Sequence, residues 1–385
     1  MKDEHLSILL LGTQMATGGA QRVLLDQASW FSTNGHRINV AFLYDRDGLY
    51  TRWQDSYPFP IYNLNAFQDK SGVLRQTFFI FRGLQHLWKL LRQGRFDVVE
   101  TFTLDSNLFA LPVAWLAGVP VRMATNHGWA KNDSLLKRIS HNLLLKLGVM
   151  DVLVAVTEEL RSRSIREGAR PERVLTIPNG IQLLPVKKKS AETSQKTLSI
   201  PAGYAFLLSV GRLVHEKAYE VLIQAIDIVV KEYPNMMLAI AGSGVLEDEL
   251  RRLIEKLHLD DKIRLLGNRH DVHDLMANAD VFVMSSRSEG MPMALLEAMG
   301  FGLPVVITRV GGLEEVVEDQ TQGLLVPPED PQELAKAILK LLHDPVLCSN
   351  MGKNARQRIE EKYTTERMCR QYERTMLALW REKRK

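Results

Sequence analysis

The chain has only two cysteines in 385 residues, Cys348 and Cys369. Neither stands at a metal-ligand spacing, so a disulfide scaffold is excluded and a reducing compartment is expected. Low-complexity tracts and a 20-residue repeat are also lacking. With hydrophobic residues at 45% and charged residues at 24%, that excludes a solenoid and a disordered chain. A long apolar run is missing too. The N-terminal "MKDEHLSILLLGT" has charges of both signs and an apolar run of buried-strand length. The expectation is therefore a cytoplasmic protein with neither signal peptide nor membrane span. The net charge of +4 is modest. It is unevenly placed: "KSGVLRQTFFIFRGLQHLWKLLRQGRF", Lys70 to Phe96, has no acid and carries Lys70, Arg75, Arg82, Lys89, Arg92 and Arg95 among Phe, Leu and Trp.

What is present is a repeated alternation. "LSILLLG", "INVAFLY", "FDVVETF", "VRMATNH", "DVLVAVT" and "RVLTIPN" are short apolar runs, each followed by a polar or helix-forming stretch. This is the βαβ signature of a parallel sheet. The polar stretch from Pro185 to Tyr204 interrupts it, and the alternation restarts with "AFLLSVGRL", "NMMLAIAGSG", "KIRLLGN", "ADVFVMSS", "LPVVITR" and "GLLVPP". The length exceeds one comfortable core. The expected fold class is thus α/β, with two doubly wound, Rossmann-like parallel-sheet domains facing across a cleft. The expected bounds are an N-terminal domain at 1–184, a linker at 185–203 and a C-terminal domain at 204–363. A closing helix at 364–385 is long enough to reach back to the first domain.

The turns after these strands carry the chemistry. "SSRSEGMPMALLEAMGFGLPVV" puts Glu289 in a Ser/Gly/Pro-rich turn and Glu297 inside an apolar, helix-like run that starts near Pro292. An acid near a helix N-terminus can simply be favoured by the dipole. Glu297 has no obvious wet face, so it needs a partner, protein or ligand. Gly18 and Gly19 precede a helix and let backbone N–H groups approach an anion, although a glycine pair is also an ordinary tight turn. Gly211 and Arg212 follow a strand, with Lys217 before the next helix. Two cations at the mouth of a parallel sheet can clamp a diphosphate, and they can also be solvated loop residues. Convergence favours the clamp, because Gly242, Ser243, Gly244, Glu289 and Glu297 map to strand ends of the same sheet.

These residues resemble a known family. "GGAQRVL", "IPNGI", "VGRLVHEKAYEVLIQA", "AGSG", "SEGMPMALLEAMGFGLPVV" and "GGLEEVV...GLLVPPED" are similar to the motifs of retaining family 4 glycosyltransferases of GT-B architecture, glycosyl transferases group 1. The acid pair within its wider run is the most specific of these. The resemblance implies that Glu289 lies near the transferred sugar and phosphate. It further implies that Glu297 binds the ribose hydroxyls, and that Arg212 and Lys217 neutralise the diphosphate leaving group. By the same resemblance Gly19 approaches the phosphate or reacting sugar, and His127 in "ATNHGW" faces the donor sugar. Gly290, Met291 and Met293 offer further backbone donors, and Gly18, Gly211 and Gly242 complete the substrate-binding turns. Gln182 departs from the aspartate that commonly follows "NGI", which puts linker contacts in doubt more than chemistry. His215 is left out because family members vary there. "DRD", Asp45 to Asp47, resembles the metal-binding triplet of the other large glycosyltransferase fold, but it follows a first-domain strand and reads as a solvated loop.

The implied reaction is front-face transfer from a UDP-, GDP- or ADP-sugar to a glycan or lipid-linked acceptor in cell-surface polysaccharide, lipopolysaccharide or glycolipid synthesis. No metal or cofactor is expected beyond the nucleotide-diphosphate sugar itself. The basic, aromatic stretch Val73 to Phe96 and "DSLLKRISHNLLLKLG" fit contact with an anionic membrane surface at its inner face, and equally an ordinary amphipathic helix. A nucleotide-sugar epimerase or a non-catalytic nucleotide-sugar-binding protein would share the two-sheet plan. A nucleic-acid reader would need basic and aromatic residues on one sheet face, and no nucleic acid partner is expected.

Overall fold

The computed structural model describes residues 4–67, 72–128, 135–185 and 200–384. They form two compact units. One is built from the residues up to Gly180 together with those from Thr365 onward, the other from Ile181–Thr364. The chain first leaves the first unit between Gly180 and Ile181, ahead of the polar stretch in which the sequence places the linker. That stretch lies mostly outside the described residues. Ile181 is buried, bridges to Thr364 and donates its N–H to the Tyr363 carbonyl at 2.9 Å. The outgoing and returning segments are thus paired with each other within the second unit.

The first unit holds a seven-stranded sheet of β1 (Ser7–Met15), β2 (Arg37–Asp45), β3 (Ile61–Asn63), β4 (Val98–Thr101), β5 (Val121–Asn126), β6 (Val152–Ala155) and β7 (Val174–Thr176). The strand order is β3-β2-β1-β4-β5-β6-β7. The second unit holds β8 (Ala205–Val210), β9 (Met236–Ala241), β10 (Ile263–Leu265), β11 (Val281–Met284), β12 (Val305–Thr308) and β13 (Gly323–Val326), ordered β10-β9-β8-β11-β12-β13. All pairings between these strands are parallel. Continuous apolar runs form them because helices cover both faces, and β4, β5, β6, β9, β11, β12 and β13 are buried at every residue. In each sheet the order reverses beside the first strand, between β1 and β4 and between β8 and β11. Ligands of doubly wound sheets bind at the carboxyl ends of the strands at such points.

The helices of the first unit are α1 (Gly19–Thr33), α2 (Tyr50–Ser56), α3 (Val73–Gly94), α4 (Leu104–Leu116), α5 (Leu135–Lys146) and α6 (Glu158–Arg166). Side chains placed at the loop ends start two of them. Thr157 accepts from the Leu160 N–H at the start of α6, and Thr103 and Ser106 form a reciprocal capping box at the start of α4.

The helix Thr365–Lys383 belongs to this unit as well. Glu373 meets His36 at 2.9 Å, the Trp380 indole donates to Asp97 at 2.9 Å, and Lys383 reaches Asp151 at 2.8 Å. Beneath it, Tyr372 and Thr125 are 3.3 Å apart and Thr125 donates to Glu100 Oε1 at 3.0 Å. Glu100 is fully buried and its second oxygen accepts nothing. Burial pushes its pKa up to about 8, against the lowering influence of Thr125 and Gln27, so the carboxyl is protonated at neutral pH.

Candidate active site

In the second unit the residues beyond β8, β9 and β11 come together. Gly211 donates to the Ala241 carbonyl at 3.0 Å and Leu213 to the Ser243 carbonyl at 3.0 Å, which laces the two loops. Gly242 is required there. Its φ of +144° is a glycine conformation, and a Cβ would stand 2.0 Å from the Gly211 carbonyl oxygen.

Lys217 ends a short 3₁₀ turn, and its ammonium donates to Glu289 Oε1 at 2.5 Å. Ser286 Oγ donates to the same oxygen at 2.6 Å. The pair is largely enclosed, with side-chain exposures of 17% for Lys217 and 10% for Glu289. Glu289 Oε2 accepts nothing from the described residues and stays available.

The backbone around this pair is held from several sides. Ser285 Oγ donates to the carbonyls of Lys217 and Ala218, both at 3.0 Å. Thr308 donates to the Ser286 carbonyl at 2.6 Å, and Gly311, at φ +53°, lies so close that a Cβ would be 2.1 Å from the Glu289 carbonyl. The Arg287 guanidinium pairs with Glu220 and Glu329 and donates to the His215 carbonyl at 2.5 Å. Arg212, by contrast, is exposed and its side chain pairs with no described residue.

Glu297 lies on the helix Met293–Gly300, whose N-cap is Pro292. It is the fifth residue of that helix, which starts where the sequence places it, beside Pro292. Its side chain is mostly enclosed, at 15% exposed, and its carboxylate stands 3.8 Å from His273 Nε2. Met291 and Met293 bury their side chains, so only their backbone can serve a ligand.

The remaining predicted residues belong to the first unit. Gly18 is the extended N-cap of α1 and Gly19 its first residue, both exposed. His127 follows β5, with its ring stacked on Phe102 at 5.9 Å and 14°. The residue is partly exposed, yet its Nε2 is buried and bonded to nothing, and burial pulls its pKa down to about 4. The imidazole is therefore neutral near pH 7. Of the "DRD" triplet, Asp45 accepts from the N–H groups of Leu49 and Tyr50 at the start of α2, and Asp47 pairs with Arg46 at 2.7 Å. Those carboxylates serve local turns. Among the described residues no group of three or more His, Cys, Asp or Glu is arranged to hold a metal ion. Sequence reasoning missed Ser286, because a serine earns a role only once the fold shows which carboxylate it reaches.

Two family models divide the chain between them: Glycosyltransferase Family 4 matches residues 17–183 and Glycosyl transferases group 1 matches residues 190–358. The chain belongs to the family 4, group 1 glycosyltransferases. Among curated relatives, the Escherichia coli UDP-Gal:alpha-D-GlcNAc-diphosphoundecaprenol alpha-1,3-galactosyltransferase is 27% identical over 380 residues, covering 93% of this chain and 94% of the relative. The Bacillus anthracis N-acetyl-alpha-D-glucosaminyl L-malate synthase is 29% identical over 362 residues, covering 93% of both. Among solved structures, Anabaena Alr3699/HepE in complex with UDP-glucose matches with a TM-score of 0.85 at 22% identity, over 97% of this chain and 100% of that one. WaaG, a glycosyltransferase involved in lipopolysaccharide biosynthesis, matches at 0.73 and 20% identity, over 97% and 99%. The glycosyltransferase thus has the GT-B fold, with Lys217, Ser286 and Glu289 gathered at the carboxyl ends of β8 and β11.

Proposed function

We propose that the chain is a retaining, metal-independent glycosyltransferase. In this reading it moves a sugar from a UDP-, GDP- or ADP-sugar to a hydroxyl of a glycan or lipid-linked acceptor in cell-surface polysaccharide or glycolipid synthesis. The observation that carries this reading is the enclosed Lys217–Glu289–Ser286 cluster at the switch point of the second sheet, where the exposed Arg212 follows β8 in the chain. A fixed ammonium and a free guanidinium suit a diphosphate, and Glu297 on the neighbouring helix suits the ribose hydroxyls. The covalent attachment of a diphosphate leaving group to the sugar breaks as the acceptor oxygen bonds to the same carbon on the same face. The acceptor proton passes to the departing phosphate oxygen. Lys217 and Arg212 stabilise the charge that gathers on that phosphate, which is where electrostatic catalysis has most effect.

A lipid-linked acceptor is supported by the undecaprenol-linked substrate in the name of the Escherichia coli relative and by the surface of the first unit. Phe78, Phe81 and Trp88 of α3 are exposed, as are Leu136, Ile139 and Leu143 of α5, and Arg75, Arg82, Lys89 and Arg92 of α3 stand exposed as well. Exposed apolar and cationic side chains together fit reversible docking on anionic lipid at the inner face of the cytoplasmic membrane. Among the described residues no helix is long and apolar enough to cross a membrane. Transfer assays over a panel of nucleotide sugars, with and without EDTA, test the reading. A product of inverted anomeric configuration by NMR would overturn retention, and activity lost to EDTA and restored by Mn²⁺ would overturn metal independence.

A further inference from the structure

Arg287 lies two residues before Glu289 in the segment that follows β11, where a cation invites the reading of a further ligand for the diphosphate. Its hydrogen bonds argue otherwise. A guanidinium has five N–H donors and no acceptor. Nε donates to Glu329 Oε1, and Nη2 donates to Glu329 Oε2 at 3.1 Å and to Glu220 Oε1. Nη1 donates to the His215 carbonyl at 2.5 Å and stands 3.4 Å from His215 Nδ1. Every donor thus faces an acceptor of the protein, and two carboxylates answer the one charge. Nothing is left over for a phosphate.

The same segment holds the turn that carries Lys217. The His215 carbonyl accepts from Arg287 and also closes the turn, by accepting the Ala218 N–H at 3.2 Å. The Glu216 carbonyl accepts from the Arg287 backbone N–H at 2.8 Å, and the carbonyls of Lys217 and Ala218 accept from Ser285 Oγ. All four successive carbonyls, His215 to Ala218, are therefore tied to Ser285 or Arg287. The turn needs such bonds. It is a 3₁₀ turn of only three residues, and it runs into Ala218 at φ +48°, a left-handed conformation uncommon for a residue with a side chain. Between these two ties, Ser286 binds the same Glu289 oxygen that takes the Lys217 ammonium. Residues 285–289 thus fix both the backbone of Lys217 and the carboxylate that meets the end of its side chain.

The far side of the guanidinium is fixed as well. Glu220 stands in the first turn of the helix Tyr219–Glu232, and Glu329 follows β13. One planar fork therefore joins the segments beyond β8, β11 and β13, which a lysine at the same position, with a single ammonium, would not span.

We propose that Arg287 is a positioning residue. It holds the His215–Lys217 turn so that the Lys217 ammonium meets the diphosphate, Glu220 and Glu329 orient its guanidinium, and it makes no contact with the phosphate itself. The part that concerns the diphosphate rests on the glycosyl-transfer reading, whereas the hold on Lys217 stands on the geometry alone.

Two measurements test it, the first independent of activity. The protein is acetylated with an N-hydroxysuccinimide ester and the rate at each lysine is followed by mass spectrometry. Arg287→Ala is expected to speed acetylation of Lys217 about 5-fold or more by loosening its turn. Lys262, as enclosed as Lys217 at 16% against 17% but placed just before β10, should keep its rate. An unchanged rate at Lys217 overturns the proposal. A rise at both lysines would mean that the variant has unfolded, and Glu329→Gln, which weakens the fork from its outer side, then replaces it under the same criteria.

For the second measurement, a panel of UDP-, GDP- and ADP-sugars supplies the donor. Arg287→Ala should lower kcat about 10- to 100-fold with donor KM changed by less than about 3-fold, and Arg287→Lys, which keeps the charge without the fork, should recover little. In a Lys217→Ala background the same change should cost less than about 2-fold, because the group it positions is gone. A loss of equal size in both backgrounds, or a rise in donor KM that Arg287→Lys reverses, would make Arg287 a ligand of the phosphate and overturn the proposal. No turnover of any nucleotide sugar by the unaltered protein overturns the glycosyl-transfer reading instead, and acetylation of Lys217 then decides the hold on the turn by itself.

Discussion

The two sheets share one strand order about their switch points, yet their carboxyl ends are furnished in opposite ways. Beyond β8 and β11 stand an ammonium and a carboxylate in contact, a serine on the same oxygen, and an exposed guanidinium close by in sequence. Beyond β4 and β5 stand neutral side chains, Asn107, Asn126 and His127, each with one buried polar atom that has no hydrogen-bond partner. The contrast teaches that one backbone plan can be fitted to two different demands. An ion pair tolerates being enclosed because each charge answers the other, and it can be re-aimed when a ligand of stronger charge arrives. The amides of Asn107 and Asn126 carry no charge and are each held by one bond, to His141 and to the Gly128 N–H, which leaves one polar atom of each without a partner.

The largest expected effect breaks the charged end. Lys217→Ala or Glu289→Ala should lower kcat by about 10²- to 10³-fold at saturating donor, as loss of one oriented charge-stabilising group does in other enzymes. Steady-state kinetics on the true donor checks this, and near-normal turnover in both variants would remove the pair from the reaction. Ser286→Ala, which leaves the ion pair intact and removes one donor to Glu289 Oε1, should cost roughly 10-fold.

Glu297→Ala sharpens the same comparison, because its carboxylate is assigned to binding. Donor KM should rise by about 10- to 100-fold with kcat changed less. A fall in kcat with KM intact would instead place Glu297 among the groups that act at the transition state.

The third prediction concerns the neutral end and its pH dependence. Glu100 is raised from 4.5 to about 8 by burial, so the folded first unit holds a proton that the unfolded chain releases above the ordinary carboxyl range. Its contribution to stability is complete below about pH 4.5 and is lost as pH rises through about 8. Glu100→Gln keeps the neutral form at every pH, so it should flatten that decline and raise the melting temperature at pH 8.5 by roughly 5 °C or more relative to the parent. Thermal unfolding from pH 5 to 9 checks this. A parallel shift of both proteins over that range would mean that Glu100 ionises with a pKa near its usual value.

The smallest effect is on the outer surface of the same unit. Replacing Arg82, Lys89 and Arg92 by Glu should abolish sedimentation with anionic liposomes at low salt while leaving kcat on a soluble acceptor analogue within about 2-fold, since each surface cation contributes roughly 1 kcal/mol to such binding. Pelleting unchanged by the substitutions would leave α3 as an ordinary amphipathic helix.

Much of this architecture was legible from apolar run length. Twelve short runs bounded by turns correspond to twelve strands, because strands buried on both faces need no alternation. Only β3 escaped, since three residues, Ile61–Asn63, make no run. Glu289 and Lys217 were legible because charge at a strand end is conspicuous. Ser286 and the Asn107–His141 bond were not: residues that act through orientation leave no trace in spacing, and Asn107 and His141 are 34 residues apart on two helices. Glu100 was hidden for a related reason. The one glutamate in "FDVVETF" looks like any strand-end acid until the helix Thr365–Lys383 is laid over it.

That same helix bears on how the chain is made. The first sheet is synthesised before the second unit, but the helix that covers it follows the second unit in the chain. During translation the earlier domain must therefore wait, with Glu100 and Thr125 uncovered, while the contiguous stretch Ile181–Thr364 has every residue it needs to fold. The order of synthesis and the order of completion are reversed: a chain that stalls within the second unit leaves both domains unfinished, and one that stalls just after Thr364 leaves a second unit with all its residues attached to a first unit that still lacks its covering helix.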